Sequence, residues 1–213
     1  MKMMQELHNT FKSFDSRLHG NEKSFERISH ELALLKTFQS ISYLALRDAR
    51  IDYLQSIHEA QDICDFLQQY RPTIAIYAGS FSPFHLGHLN IVHKASAIFE
   101  KVIIARGINP EKDGELSAWN TEALKNFETA EFTGLLTQFI EQHSHYANVT
   151  LVKGLRNGDD LDYEVNQLRF METMYPDLKV VFIQCDKEYE HISSTALRNL
   201  ERIEAGLSKP FLP

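Results

Sequence analysis

The stretch YAGSFSPFHLGH, Tyr77 to His88, gathers two glycines, a proline and two histidines into twelve residues. His85 and His88 are three apart, so their rings fall on one side of a helical turn and can face a common ligand. Gly79 ends a β-rich run, where the absence of a side chain lets a phosphate approach the main chain. Gly87 precedes His88, which is expected to open the next helix. A helix start offers unpaired N–H groups and the positive end of a dipole, a natural anion site. The same His-x-x-His spacing occurs in zinc sites, but no third ligand lies nearby in the sequence. The chemistry these residues suit best is the holding of a phosphate.

Three further segments carry groups of the same character. HISSTALRNL, from His191, places Ser193, Ser194 and Thr195 at a helix start, where hydroxyls and free N–H groups meet; alone it reads as an ordinary cap. VKGLRNGDDLDYE supplies Lys153, Arg156 and Glu164. GINPEKDG supplies Lys112. A lone lysine is ordinarily a solvated surface charge, and Arg156 and Glu164 could pair with each other for purely structural reasons.

The elements that must position these groups follow from the punctuation of the chain. All six prolines lie at position 72 or later, and only Gly20 of the nine glycines lies before it. Residues 1–71 are therefore expected to form an α-helical extension, with one long helix or a helical hairpin over 22–70. LLKTFQSISYLALRDARIDYL has its densest apolar face. From Thr73 the pattern alternates. TIAIYAGS, KVIIARGI, NVTLVKGL and LKVVFIQC read as strands. LNIVHKASAIFE, LLTQFIEQHS, DDLDYEVNQLRFMETMYP and SSTALRNLERIEAG read as helices, the last closed by Gly206. LKNFETAEF reads as a helix end followed by a strand. Strands alternating with helices imply βαβ units and a parallel sheet, so residues 72–213 are expected to form an α/β, Rossmann-like domain. In such sheets ligands bind at the carboxyl ends of the strands, where the motifs sit.

Composition narrows the class. The net charge of −7 argues against a nucleic-acid partner, since such proteins usually carry a basic excess, but leaves room for a small anionic ligand. Cys64 and Cys185 lack metal spacing and fit a reducing cytoplasm, where two small buried thiols are ordinary. MKMMQELHNTFKSFDS is too polar for a signal peptide, and no apolar run approaches the ~20 residues that span a bilayer.

The first motif resembles the HxGH signature of the nucleotidyltransferase superfamily, and HISSTALRNL resembles its late I-S-S-[ST] motif. VKGLRNGDDLDYEVNQLRFM, GINPEKDG and the ending SKPFLP are similar to segments of bacterial phosphopantetheine adenylyltransferases. The resemblance covers about Thr73 to Pro213 and none of residues 1–70. It implies transfer of an adenylyl group from ATP to 4′-phosphopantetheine, giving dephospho-coenzyme A and pyrophosphate by direct attack, with Mg²⁺ carried by the triphosphate. By the same resemblance His88 donates to the α-phosphate in the transition state. Ser80, Phe81, His85, Gly154, Leu155, Arg156, Glu164 and the segment Tyr189, Ile192, Ser193, Ser194 and Thr195 contact ATP, with Arg198 assisting the triphosphate. Ser80, Lys112, Lys153 and Leu136 contact the acceptor. A homo-oligomer is expected.

Three departures from the family pattern stand out. Ser82 replaces an aspartate, Lys153 replaces an arginine, and the stretch between Lys112 and Phe132 is short. Lysine offers a point charge where arginine offers a planar fork, which puts acceptor identity in question. Two other readings stay open. One is a nucleotidyltransferase acting on nicotinate mononucleotide or, with CTP, on a small phosphorylated alcohol; the other is a nucleotide-binding module without turnover.

Overall fold

The computed structural model describes residues 2–15, 24–57, 60–108 and 122–213. The chain divides into two compact units, Met1–Arg71 and Pro72–Pro213. No described helix is long and apolar enough to cross a membrane.

The first unit contains helices α1 (Lys2–Asp15), α2 (Ser24–Thr37), α3 (Tyr43–Gln55) and α4 (Gln61–Gln69). Leu7 and Phe11 of α1, Leu34 of α2, Leu46 and Leu54 of α3 and Leu67 of α4 are buried together with their neighbours. The single helix or hairpin expected over 22–70 is replaced by three shorter helices, and α1 falls within the helical extension expected over 1–71. Freedom from Gly and Pro permits a long helix without enforcing one. The apolar-rich run is interrupted at FQSIS, where serines compete for backbone groups. There the Ile41 N–H turns back to the Phe38 carbonyl at 3.3 Å, and Ser42 occupies the cap position of α3.

A buried arginine organises this unit. The Arg50 side chain is fully excluded from solvent. Its Nε and Nη2 donate to the two carboxylate oxygens of Glu31 at 2.8 and 2.6 Å. Its Nη1 and Nη2 donate to those of Asp15 at 3.0 and 2.8 Å. The guanidinium also lies 5.1 Å from the Phe11 ring centre and 5.4 Å from that of Tyr53. Burial alone would lower its pKa, but the hydrogen bonds to Glu31 and Asp15 outweigh that and raise it. The pairing ties α1, α2 and α3 through one side chain.

The second unit is an α/β fold. Its elements are β1 (Thr73–Gly79), α5 (Leu86–Ser96), β2 (Lys101–Ile108), β3 (Glu128–Thr133), α6 (Leu136–Ser144), β4 (Asn148–Leu155), α7 (Gly158–Met174), β5 (Val180–Gln184) and α8 (Ser194–Ile203). The five strands form one sheet in the order β3-β2-β1-β4-β5, with every neighbouring pair parallel. The central strands are covered on both faces, which is why they read as unbroken apolar runs. On one face Ala75, Tyr77, Val102, Ile104 and Val152 pack with Ile91, Val92 and Ala95 of α5. Ile74, Ile76, Ile103 and Leu151 point the other way and are fully buried. A 3₁₀ turn at Glu122–Leu124 precedes β3, matching the expected helix end and strand. Helix α8 stops at Ile203, three residues before Gly206, whose φ of +93° suits glycine.

Sheet order reverses at β1. From it the chain goes first to β2 and β3 on one side, then to β4 and β5 on the other. The carboxyl ends of β1 and β4 therefore open a crevice between diverging connections, where open α/β sheets bind ligands.

Replacing Arg50 by Ala leaves two carboxylates without their cation in the first unit. The expected loss is about 3–5 kcal/mol, read from urea unfolding followed by far-ultraviolet circular dichroism. A loss below about 1 kcal/mol would contradict the role given to this side chain.

Candidate active site

The crevice holds a cavity of about 380 Å³ whose lining comes from four places: the end of β1 and the loop after it, the first turn of α5, the end of β4 with the start of α7, and the segment from Cys185 to Ser194. Of the residues singled out in the sequence, Ser80, Phe81, His85, His88, Lys153, Gly154, Leu155, Arg156, Glu164, Tyr189, Ile192, Ser193 and Ser194 all line it. Thr195 and Arg198 sit on α8 and are not among the lining residues. Leu136, at the start of α6, is half-buried and also lies off the cavity. Lys112 lies outside the described residues.

The loop after β1 is built tightly. A Cβ on Gly79 would stand 2.9 Å from the Phe81 ring, so that ring occupies space only glycine leaves open. Phe81 itself adopts φ 47°, a left-handed conformation uncommon outside glycine. The Ser82–Pro83 peptide is cis. A Cβ on Gly154 would meet Ile91 at 3.0 Å and the Tyr77 hydroxyl at 3.2 Å, so β4 approaches β1 and α5 closely at this point.

Helix α5 begins at Leu86, with His85 as its cap; His88, expected to open the helix, is instead its third residue. The two histidines cap one another. The His88 N–H donates to His85 Nδ1 at 3.4 Å, and the His85 N–H donates to His88 Nδ1 at 3.3 Å. Their rings stack with centres 3.6 Å apart. A nitrogen that accepts from the backbone carries no proton, so each neutral ring bears its proton on Nε2. Phe81, Phe84 and Tyr77 surround the His88 ring at 5.1, 5.3 and 6.2 Å between centres. Burial, reinforced by Arg156, pushes His85 down to about 4. Burial, with His85 and Arg156, holds His88 well below the usual imidazole range. Both are neutral Nε2–H donors at pH 7.

The late motif grips the early one directly. Ser193 caps α8, its Oγ accepting from the Ala196 N–H at 3.1 Å. The Ser194 hydroxyl donates to the Pro83 carbonyl at 2.9 Å. Arg198 donates to the Ser82 carbonyl and, at 3.0 Å, to the Thr195 hydroxyl.

The cations follow another pattern. Arg156 donates through Nε and Nη2 to both carboxylate oxygens of Asp160, at 2.9 and 2.7 Å. Lys153 pairs with Glu164 at 2.9 Å. The considered Arg156–Glu164 pair does not form. The reason is geometric: Asp160 is one helical turn nearer to Arg156, and Glu164 lies the further turn along α7, opposite Lys153. The hydrogen bond to Asp160 raises the pKa of Arg156, and Arg156 in turn holds Asp160 below the usual carboxylate range.

Comparison with known proteins follows the same segments. The Cytidylyltransferase-like family model matches residues 76–200, from β1 into α8. The chain belongs to that family. It is 32% identical over 148 residues to a phosphopantetheine adenylyltransferase of Clostridium tetani, covering 66% of this chain and 90% of the relative. It is 35% identical over 146 residues to the Haemophilus ducreyi protein of the same name, covering 65% and 88%. Among solved structures, a putative nicotinate-nucleotide adenylyltransferase from Vibrio parahaemolyticus aligns at TM-score 0.44 and 20% identity over 63% of this chain and 85% of that one.

Sequence reasoning missed several residues of this family member's cavity, namely Asp160, Tyr163, Tyr77, Ile91 and Cys185. Asp160 was within reach, since an acid four residues after Arg156 at a helix start is an ordinary pairing distance. Tyr77 follows from alternation, because it shares its strand face with Gly79. Tyr163 and Cys185 carry no local signal.

Folded His85 binds its proton less tightly than the unfolded chain does. Between pH 6.5 and about 4 the unfolded state therefore holds more protons, and stability should fall as pH drops through that window. The contribution is about 3 kcal/mol. His85→Asn keeps a cap acceptor and removes the titration. Thermal unfolding of this variant should vary less steeply with pH over that range than that of the native chain; equal slopes would contradict a neutral capping imidazole.

Proposed function

We propose that this chain transfers the adenylyl group of ATP to 4′-phosphopantetheine, giving dephospho-coenzyme A and pyrophosphate. The observation that carries the reading is the convergence of the His85–His88 cap and the Ser193–Ser194 turn on one cavity. The nature of the named relatives gives it its substrate.

An acceptor phosphate oxygen forms a bond to the α-phosphorus of ATP while the bond to pyrophosphate breaks. No protein nucleophile is needed. The protein's part is to align the two phosphates and to stabilise charge on the α-phosphate oxygens. The neutral His88 ring does the second through Nε2–H, in a site walled by Phe81, Phe84 and Tyr77, where water competes weakly. His85 keeps His88 in the donating tautomer. Arg156 and the N–H groups at the start of α8 hold the triphosphate, with Ser80, Phe81, Gly154, Leu155, Glu164, Tyr189 and Ile192 shaping the nucleotide site. Ser80 and Lys153 face the acceptor. Magnesium enters with ATP as part of the substrate, carried by phosphates and water. Among the described residues no group of three or more His, Cys, Asp or Glu is gathered to hold it.

Purified protein with MgATP should release pyrophosphate when offered phosphopantetheine. Release only with nicotinate mononucleotide would replace the acceptor, and nucleotide binding without release from any acceptor would make the chain a binding module. His88→Ala should leave ATP affinity within about threefold while raising the barrier by about 2.7–4 kcal/mol. Equal losses of affinity and rate would contradict a donor that acts chiefly in the transition state.

A further inference from the structure

Asp160 has no part in the scheme above, yet it makes the densest polar contact in the cavity. Its Oδ2 accepts from both the Arg156 main-chain N–H and Nε, each at 2.9 Å. Its Oδ1 accepts from Arg156 Nη2 at 2.7 Å. Its own N–H is held by the Asn157 side chain at 3.2 Å, which fixes the first turn of α7. One carboxylate thus fastens the backbone at the end of β4, one edge of the guanidinium and the helix start in a single cluster.

A guanidinium is planar and carries five N–H groups. Asp160 takes the Nε–Nη2 edge, leaving the N–H groups of Nη1 for another anion. The Arg156 side chain is 40% exposed, so without this fork it would sample many rotamers. The next acid on the same face of α7, Glu164, repeats the arrangement with Lys153. Asp160 and Glu164 are four residues apart on the helix, and each meets one cation of the KGLR segment.

We infer that Asp160 is a positioning residue: it locks Arg156 so that the Nη1 edge meets the phosphate tail of the nucleotide. The nucleotide is taken from the proposed function, but the inference is tested on ATP binding alone and survives a change of acceptor. Two effects of the carboxylate oppose one another. Its charge weakens the attraction of the site for an anion, while its fork orders the cation. In a side-on pair the donor edge opposite the carboxylate stays available, so orientation should win.

The two effects give opposite signs for Asp160→Asn in the full chain. If charge alone mattered, removing a negative group would tighten ATP binding. Positioning predicts that it weakens at least tenfold, by calorimetric titration with MgATP, while the KM for the acceptor changes less than twofold where turnover is observed. In an Arg156→Ala background nothing is left to position and only the charge effect remains, so the same substitution should leave ATP affinity unchanged or tighten it. Unchanged or tighter ATP binding in Asp160→Asn would overturn the inference, and so would an equal loss with and without Arg156. Should Asp160→Asn fail to fold, Asp160→Glu keeps the charge and displaces the fork. It should weaken ATP binding in the same direction by a smaller factor, and an affinity equal to or above the native one would overturn the inference. Absence of pyrophosphate release from every acceptor would defeat the proposed function and leave this binding test intact.

Discussion

The first turn of α8 is fastened to the loop after β1. Ser194 donates to the Pro83 carbonyl and Arg198 to that of Ser82, across more than a hundred residues of sequence. These bonds close the crevice opened where the sheet changes direction. Without them the early loop would present His85 and His88, and the late turn its hydroxyls, as two separate half-sites. The loop also needs outside support, since Phe81 holds a backbone conformation that side chains disfavour. Arg198, which the resemblance assigns to the triphosphate, donates to the Ser82 carbonyl of this loop. It supports the site by shaping it.

The electrostatics of the cavity differ from a simple basic pocket. Lys153 and Arg156 each lie against a carboxylate, and both imidazoles are neutral. Attraction for an anion therefore comes from directed N–H groups more than from net charge, which suits a chain with a formal charge of −7. Directed donors cost little reorganisation as charge builds on a reacting phosphate, and that is the condition for catalysis by alignment and charge stabilisation. Ser82, where the family carries an acid, contributes its carbonyl to Arg198.

The sheet and its helices were readable because each local signal agreed with the fold. KVIIARGI and NVTLVKGL became β2 and β4 over the same residues, since buried parallel strands are apolar throughout. The motifs that line the cavity were readable because glycine, histidine and clustered hydroxyls are expensive to place without purpose. What stayed hidden was of two kinds. The hold of α8 on the β1 loop joins segments more than a hundred residues apart and appears only once the strands are side by side. The reciprocal histidine cap and the pairing of Lys153 with Glu164 are local, but they depend on side-chain orientations that residue spacing alone does not give. In the first unit the break at FQSIS was missed because apolar spacing continues across it. The Glu31–Arg50–Asp15 cluster was missed because charged residues usually lie outside.

If the crevice works as one site, a single phosphate tail touches the α5 cap and the α8 cap together. Nuclear magnetic resonance of the ¹⁵N-labelled chain titrated with MgATP tests it most directly. The His88 Nε2 signal and the Ser194 amide signal should move together and saturate with one dissociation constant. Saturation of either signal while the other stays unmoved would contradict it.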